Sequence, residues 1–246
     1  MPAPAVAFDR LGRAFADGTA ALAEVSLAVP AGQLLSLVGP SGCGKTTLLK
    51  LTAGLDQPTA GTVVRDAQAG QPAAYVFQTA TLLPWASVAD NVALPLRLAG
   101  QPVDPARLAE VLGWVGLADR QAARPSELSG GQQMRVSIAR ALVGAPRLLL
   151  LDEPFAALDE ITRQRLAELV AGLARTQRLT VLFVTHNIAE AVFLADRVVL
   201  MAGPPGHIVA DIAVDGPPVR DGAFRADPAY HRQCAALSAA LAEAAA

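Results

Sequence analysis

From Val6 to Val38, short apolar runs alternate with breaks at Gly12, Gly18, Pro30 and Gly32. That spacing predicts several short strands joined by turns. The run Leu34-Leu35-Ser36-Leu37-Val38 predicts a buried strand leading straight into a glycine loop, and Thr46 to Ala53 a helix stopped by Gly54. Ala73–Phe77 predicts another strand, ending at Gln78. From there to about Val143 the pattern is mostly helical, broken at Pro84, Pro95, Gly100-Gln101-Pro102 and Pro125. Strand signals resume at Leu148–Leu151 and Thr180–Val184, on either side of a helix from about Asp159 to Arg175. In that helix Leu166, Leu169, Val170 and Leu173 fall on one apolar face. A final strand is predicted at Arg197–Met201, and the Ala-rich tail after Pro228 reads as a helix. Strands alternating with helices argue an α/β fold whose mainly parallel sheet is interrupted by a helical insertion. The expected division is one unit: a core of residues 1–77 and 144–215, a helical subdomain at 78–143 and a helical tail at 216–246.

Composition narrows the class. With 246 residues, 52% of them hydrophobic and 17% charged, the chain can bury a substantial core and is not a disordered segment. The formal charge of −2 gives no support to a nucleic-acid partner, which would need a basic face. Met1–Arg10 lacks a basic start followed by an apolar block, so no secretory leader is expected. The apolar runs are strand-length, far short of a bilayer span, so any membrane association is expected to come through a partner. Cys43 and Cys234 read as unrelated thiols of a cytosolic chain. His186, His207 and His231 are too scattered to suggest a metal site. Only two lysines occur, Lys45 and Lys50, and Arg fills every other basic position.

Lys45 lies in Gly39-Pro40-Ser41-Gly42-Cys43-Gly44-Lys45-Thr46, which fits G-x-x-x-x-G-K-[ST] between a predicted strand and a predicted helix. Glycines let successive backbone N–H groups turn inward onto phosphate oxygens, and the helix start adds its positive dipole end. Lys45 then supplies a point charge to the β/γ-phosphates and Thr46 a hydroxyl to Mg²⁺; Thr47 extends the same contact. Cys43 reads as a small residue tolerated where only backbone amides matter, against the alternative of a reactive thiol. Leu148–Leu151 ends in Asp152-Glu153, which puts two carboxylates at the carboxyl end of a core strand, where open α/β sheets bind ligands. One can hold hydrated Mg²⁺ and the next can orient and deprotonate an attacking water. Gln78 and His186 also follow strands and belong to the same rim, where the neutral amide of Gln78 could reach Mg²⁺ or the nucleophilic water.

Leu128-Ser129-Gly130-Gly131-Gln132-Gln133 precedes a helix with Met134, Ile138, Ala141 and Leu142 on its apolar face. Ser129 is an N-cap candidate, and the segment is a second anion-binding helix start in a chain whose first already serves one nucleotide. Two such starts suggest that the second serves a nucleotide held by another copy of the protein.

With GPSGCGKT, Gln78, LSGGQQ, LLLLDEP (Leu148–Pro154), Ala157-Leu158-Asp159 and His186 in this order, the chain closely resembles the ATP-binding cassette family over essentially its whole length. The resemblance implies a P-loop NTPase fold with an N-terminal antiparallel β subdomain and an inserted α-helical subdomain. It implies ATP and Mg²⁺ as cofactors, and a head-to-tail dimer with two ATP molecules sandwiched at the interface. Lys45, Thr46, Asp152, Glu153, Gln78 and His186 would come from one copy, and Ser129 and Gly131 from the other. In the family's terms Glu153 is the general base, His186 contacts the γ-phosphate, Asp159 communicates across the dimer and Phe15 matches the aromatic that stacks on adenine. Leu82-Leu83-Pro84-Trp85 with Asp90-Asn91-Val92 resembles importers of the nitrate, sulfonate, taurine and bicarbonate group. This chain departs from that group at Pro204-Pro205-Gly206, commonly Arg-Pro-Gly, and at Asn187, often Asp. The implied partners are a second copy, an integral membrane permease and, indirectly, a solute-binding protein. The implied location is the cytoplasmic face of the inner or plasma membrane. Import of another small solute, or export, stays open.

Overall fold

A computed structural model describes residues 4–65 and 73–244, so the first three residues of the Met1–Arg10 stretch and the last two of the tail lie outside it. Nine strands and eight α-helices are seen among the described residues. Strands β1 (Val6–Ala14), β2 (Ala20–Val29) and β4 (Ala60–Arg65) form an antiparallel sheet in the order β2-β1-β4. The second sheet joins β3 (Leu34–Val38), β5 (Ala74–Val76), β6 (Leu148–Asp152), β7 (Thr180–Thr185), β8 (Arg197–Ala202) and β9 (His207–Ala213) in the order β5-β6-β7-β3-β8-β9. It is parallel except for β9, which runs antiparallel to β8. Arg197–Met201 is therefore not the last strand. β9 is only partly buried, and its short apolar run Ile208-Val209-Ala210 is cut off by Asp211, so its signal is weaker than that of the core strands. β4 is almost wholly exposed and offers only Val63-Val64 as an apolar pair.

Two faces of the mixed sheet carry two cores. Leu35, Leu37, Leu148, Leu150, Leu182 and Val184 pack on Leu48 and Leu49 of α1 (Lys45–Ala53) and on the antiparallel sheet. Leu149, Leu151, Val181 and Phe183 face the other way, onto Leu166 and Val170 of α5 (Glu160–Thr176) and onto α6 (Ile188–Leu194). Strict alternation along each strand thus sorts side chains between the two layers. Between β5 and β6 lie α2 (Val88–Leu98), α3 (Pro105–Trp114) and α4 (Gly130–Leu142); α7 (Gly222–Ala226) and α8 (Pro228–Ala244) close the chain.

Two expected breaks are absorbed instead. β1 runs through Gly12 with shifts of register on both partners. Pro95 sits inside α2, where it removes one N–H, while its own carbonyl still accepts from Ala99 N at 3.1 Å. Its ring also crowds the Asn91 carbonyl one turn back, a penalty of about 3 kcal/mol that the buried face of α2 (Val88, Val92, Ala93 and Leu96) offsets. Among the described residues no helix is long and apolar enough to cross a membrane.

Candidate functional site

β3 delivers the chain into the Gly39–Thr46 loop, and α1 begins at Lys45. The helix cap is Gly44 at φ 90°, and a Cβ there would lie 2.6 Å from the Ala21 carbonyl oxygen. At Gly39 a Cβ would overlap the Met201 carbonyl oxygen, so the loop passes over β8 at backbone contact distance. Lys45 is buried, and its ammonium donates to the Gly39 oxygen at 2.7 Å and the Pro40 oxygen at 2.8 Å. The first turn of α1 carries no acidic side chain to compete with an anion. Cys43 is fully buried, with its Sγ 3.7 Å from Lys45 Nζ, so it is a packing residue under the loop rather than an exposed thiol.

The carboxylates stand beside this loop because β6 lies two strands from β3 and both end on the same rim. Thr46 Oγ1 donates to Asp152 Oδ1 at 2.8 Å, and the Tyr75 hydroxyl donates to Asp152 Oδ2 at 2.8 Å. Glu153, the next residue, has a left-handed backbone (φ 44°), and its N–H bonds the Val184 oxygen at 3.0 Å. Such a φ is rare for a non-glycine residue and here aims the side chain out of the sheet end. His186 Nδ1 lies 3.1 Å from Glu153 Oε2, so the ring nitrogen donates when the carboxylate is ionised.

An open cleft of ≈ 350 Å³ is lined by Phe15, Ser41, Gly42, Gly44, Lys45, Thr46, Thr47 and Glu153, with Pro204 and Thr19–Ala21 at its side. Phe15 is 42% exposed, with the Arg13 guanidinium 5.2 Å from its ring centre, so it is not a core aromatic. Gln78 follows β5 on the same sheet edge as Asp152 and is exposed to solvent.

Ser129 and Gly131 do not line the cleft. Ser129 caps α4: its hydroxyl accepts from Gln132 N at 3.3 Å, and Gln132 Oε1 accepts from Ser129 N at 2.9 Å. Ser129 and Gly130 are exposed, whereas Gly131 is buried against Thr162 of α5. Asp159 caps α5 by accepting from Thr162 N at 3.0 Å, and that bond holds its carboxyl below the ordinary range.

Sequence reading missed two polar contributors. One is Tyr75, an unremarked position inside the predicted Ala73–Phe77 strand. The other is Glu190, which accepts from Thr185 Oγ1 at 2.6 Å and lies 3.5 Å from Arg163 Nε, behind His186. Burial raises the Glu190 carboxyl above its ordinary value.

A phosphate loop beside strand-end carboxylates defines a nucleotide-hydrolysing site of the P-loop class. The ABC transporter family model matches residues 22–156, and the chain belongs to that family; it is an ATP-binding, ATP-hydrolysing member. It is 50% identical over 198 residues to the aliphatic sulfonates import ATP-binding protein SsuB of Pseudomonas putida, covering 79% of this chain and 71% of that one. The protein of the same description from Zymomonas mobilis is 44% identical over 207 residues, covering 82% and 85%. A solved dimeric ATP-binding cassette in a post-hydrolysis state, bound to ADP and Pi, matches with a TM-score of 0.74 at 30% identity, over 86% of this chain and 100% of that one.

Proposed function

We propose that this chain powers import of an aliphatic sulfonate through a separate integral membrane permease, working as a head-to-tail dimer at the cytoplasmic face of the membrane. The observation that carries the catalytic part is the convergence of Lys45, Thr46, Asp152 and Glu153 on one rim, with Thr46 and Asp152 joined at 2.8 Å. In this reading the loop amides of Gly39–Thr46, with Lys45 and Thr47, cradle the phosphates, and Phe15 meets the adenine across the cleft. Glu153 takes the proton of the attacking water. His186 Nδ1 holds Glu153 in place, leaving the other ring nitrogen free to meet the γ-phosphate.

The donor set Thr46, Asp152 and Gln78 is all oxygen and suits a hard cation. A Mg²⁺ held there would neutralise charge on the β/γ-phosphates. Ser129, with Gly131 behind it in the first turn of α4, completes the site of the other copy: Ser129 is exposed and stands outside this copy's own cleft. The 78–143 segment is the permease-facing subdomain, because Trp85, seven residues beyond Gln78, leaves 72% of its surface in solvent. A solute-binding protein would act through the permease and not touch this chain.

The relatives named as aliphatic sulfonate importers support the choice of solute. The test is uptake of radiolabelled ethanesulfonate by cells lacking this chain, complemented with wild type or Glu153→Gln. Uptake should return only with wild type. Uptake that is unaffected by loss of the chain would reject the sulfonate assignment.

A further inference from the structure

The sheet register places Tyr75 where the mechanism above gives it no task. In β5 it pairs with Leu150 of β6, and alternation then puts Tyr75, Leu150 and Asp152 on the face covered by α1. Thr46, in the first turn of α1, comes down on the same carboxylate from the other side. Asp152 therefore receives one hydroxyl on each oxygen, Thr46 on Oδ1 and Tyr75 on Oδ2, both at 2.8 Å. An ionised carboxylate offers about four acceptor directions, so roughly two remain toward the cleft. The two hydroxyls fix the carboxylate plane and thereby fix where those remaining directions point.

We infer that Tyr75 is a positioning residue for the metal, orienting Asp152 so that its free lone pairs face a hydrated divalent cation. The inference rests on the reading of Asp152 as the metal-serving carboxylate. Tyr75 is suited to it: its hydroxyl donates to Asp152 Oδ2 at 2.8 Å from the neighbouring strand. Its ring is held independently, 4.5 Å from that of Phe77, so the hydroxyl can be removed without emptying the site. Outer partners of metal-bound carboxylates commonly matter about ten- to a hundredfold for metal affinity.

The test uses the full chain with the non-hydrolysable nucleotide AMP-PNP, and reads Mn²⁺ binding to that complex by electron paramagnetic resonance. AMP-PNP affinity in EDTA is measured in parallel. Tyr75→Phe should keep the EDTA affinity and melting temperature, yet need about tenfold more Mn²⁺ for half-saturation. Asp152→Asn should weaken Mn²⁺ at least as much. An Mn²⁺ titration of Tyr75→Phe that overlays wild type while Asp152→Asn shifts would overturn the inference and leave Asp152 in its role. Titrations unshifted in both would remove Asp152 from the metal, and Tyr75 with it. A loss in Tyr75→Phe that is equally large in EDTA would make Tyr75 a packing residue only.

Discussion

Besides its capping hydrogen bonds, the exposed Ser129–Gly130 turn rests on a tight contact of Gly131 with α5, and Gly131→Ala tests it. A Cβ at position 131 would overlap Thr162 Cγ2, at the first turn of α5 next to its cap Asp159. Forcing a methyl into a packed contact costs about 1–3 kcal/mol. Gly→Ala within a helix returns up to about 1 kcal/mol through backbone propensity. Thr162→Ser deletes the obstructing methyl while leaving Asp159 bonded to the Thr162 backbone N–H, so it should cost little by itself. In that background the alanine should stabilise. A double-mutant cycle by urea denaturation should therefore give a coupling of about 1–3 kcal/mol, and ATPase activity lost in Gly131→Ala should return in the double variant. If Gly131→Ala stabilises equally in both backgrounds, the packing of α4 on α5 is not what the site depends on.

Glu153→Gln should lower kcat by about 10²–10⁴ while KM for ATP changes little, as expected for loss of a general base; near-wild-type turnover would remove Glu153 from that role. Trp85→Ala should leave melting temperature and ATPase unchanged, because the side chain is mostly in solvent, but abolish co-purification with the permease. A variant that still co-purifies places the contact elsewhere. Glu190 predicts a pH dependence. Burial raises its carboxyl although Thr185 and Arg163 oppose the shift, so the folded chain holds this proton more tightly than the unfolded chain. Its contribution to stability is thus greatest below the ordinary carboxylate pKa and falls as pH rises through the raised value. Glu190→Gln should flatten that slope in a stability-against-pH series; an unchanged slope would show that Glu190 does not titrate differently on folding.

Elements whose burial follows a simple period were legible in the chain. Leu148–Leu151 and Thr180–Val184 are buried on both faces and read as uninterrupted apolar runs, so their ends, and with them Asp152 and His186, could be placed. The Gly39–Thr46 loop was legible because it is contiguous. β4 and β9 were not, since β4 is almost wholly exposed and β9 is partly exposed with its apolar residues interrupted by Asp211. Phe15 was reached only through the family resemblance, since an aromatic in a short strand is otherwise a core candidate, and its exposure beside Ser41–Thr47 is a tertiary feature. Tyr75 and Glu190 were illegible for a different reason. Each reaches its partner across a strand or helix boundary, Tyr75 to Asp152 and Glu190 to Arg163, and no local period encodes such a pairing.

The central claim is that each hydrolytic site is shared by two copies, with the Lys45 loop from one and the Ser129 turn from the other. Mixing two inactive variants tests it most directly: Lys45→Ala, which loses the phosphate contact, and Ser129→Arg, which obstructs the partner's nucleotide. A mixed dimer would then contain one site with both defects and one site with neither. Hydrolysis should reappear on mixing and approach about a quarter of the wild-type rate at equal amounts, since half the dimers are mixed and each has one intact site. No recovery at any mixing ratio, with both variants folded and able to associate, would mean that Ser129 serves the nucleotide of its own chain or none at all.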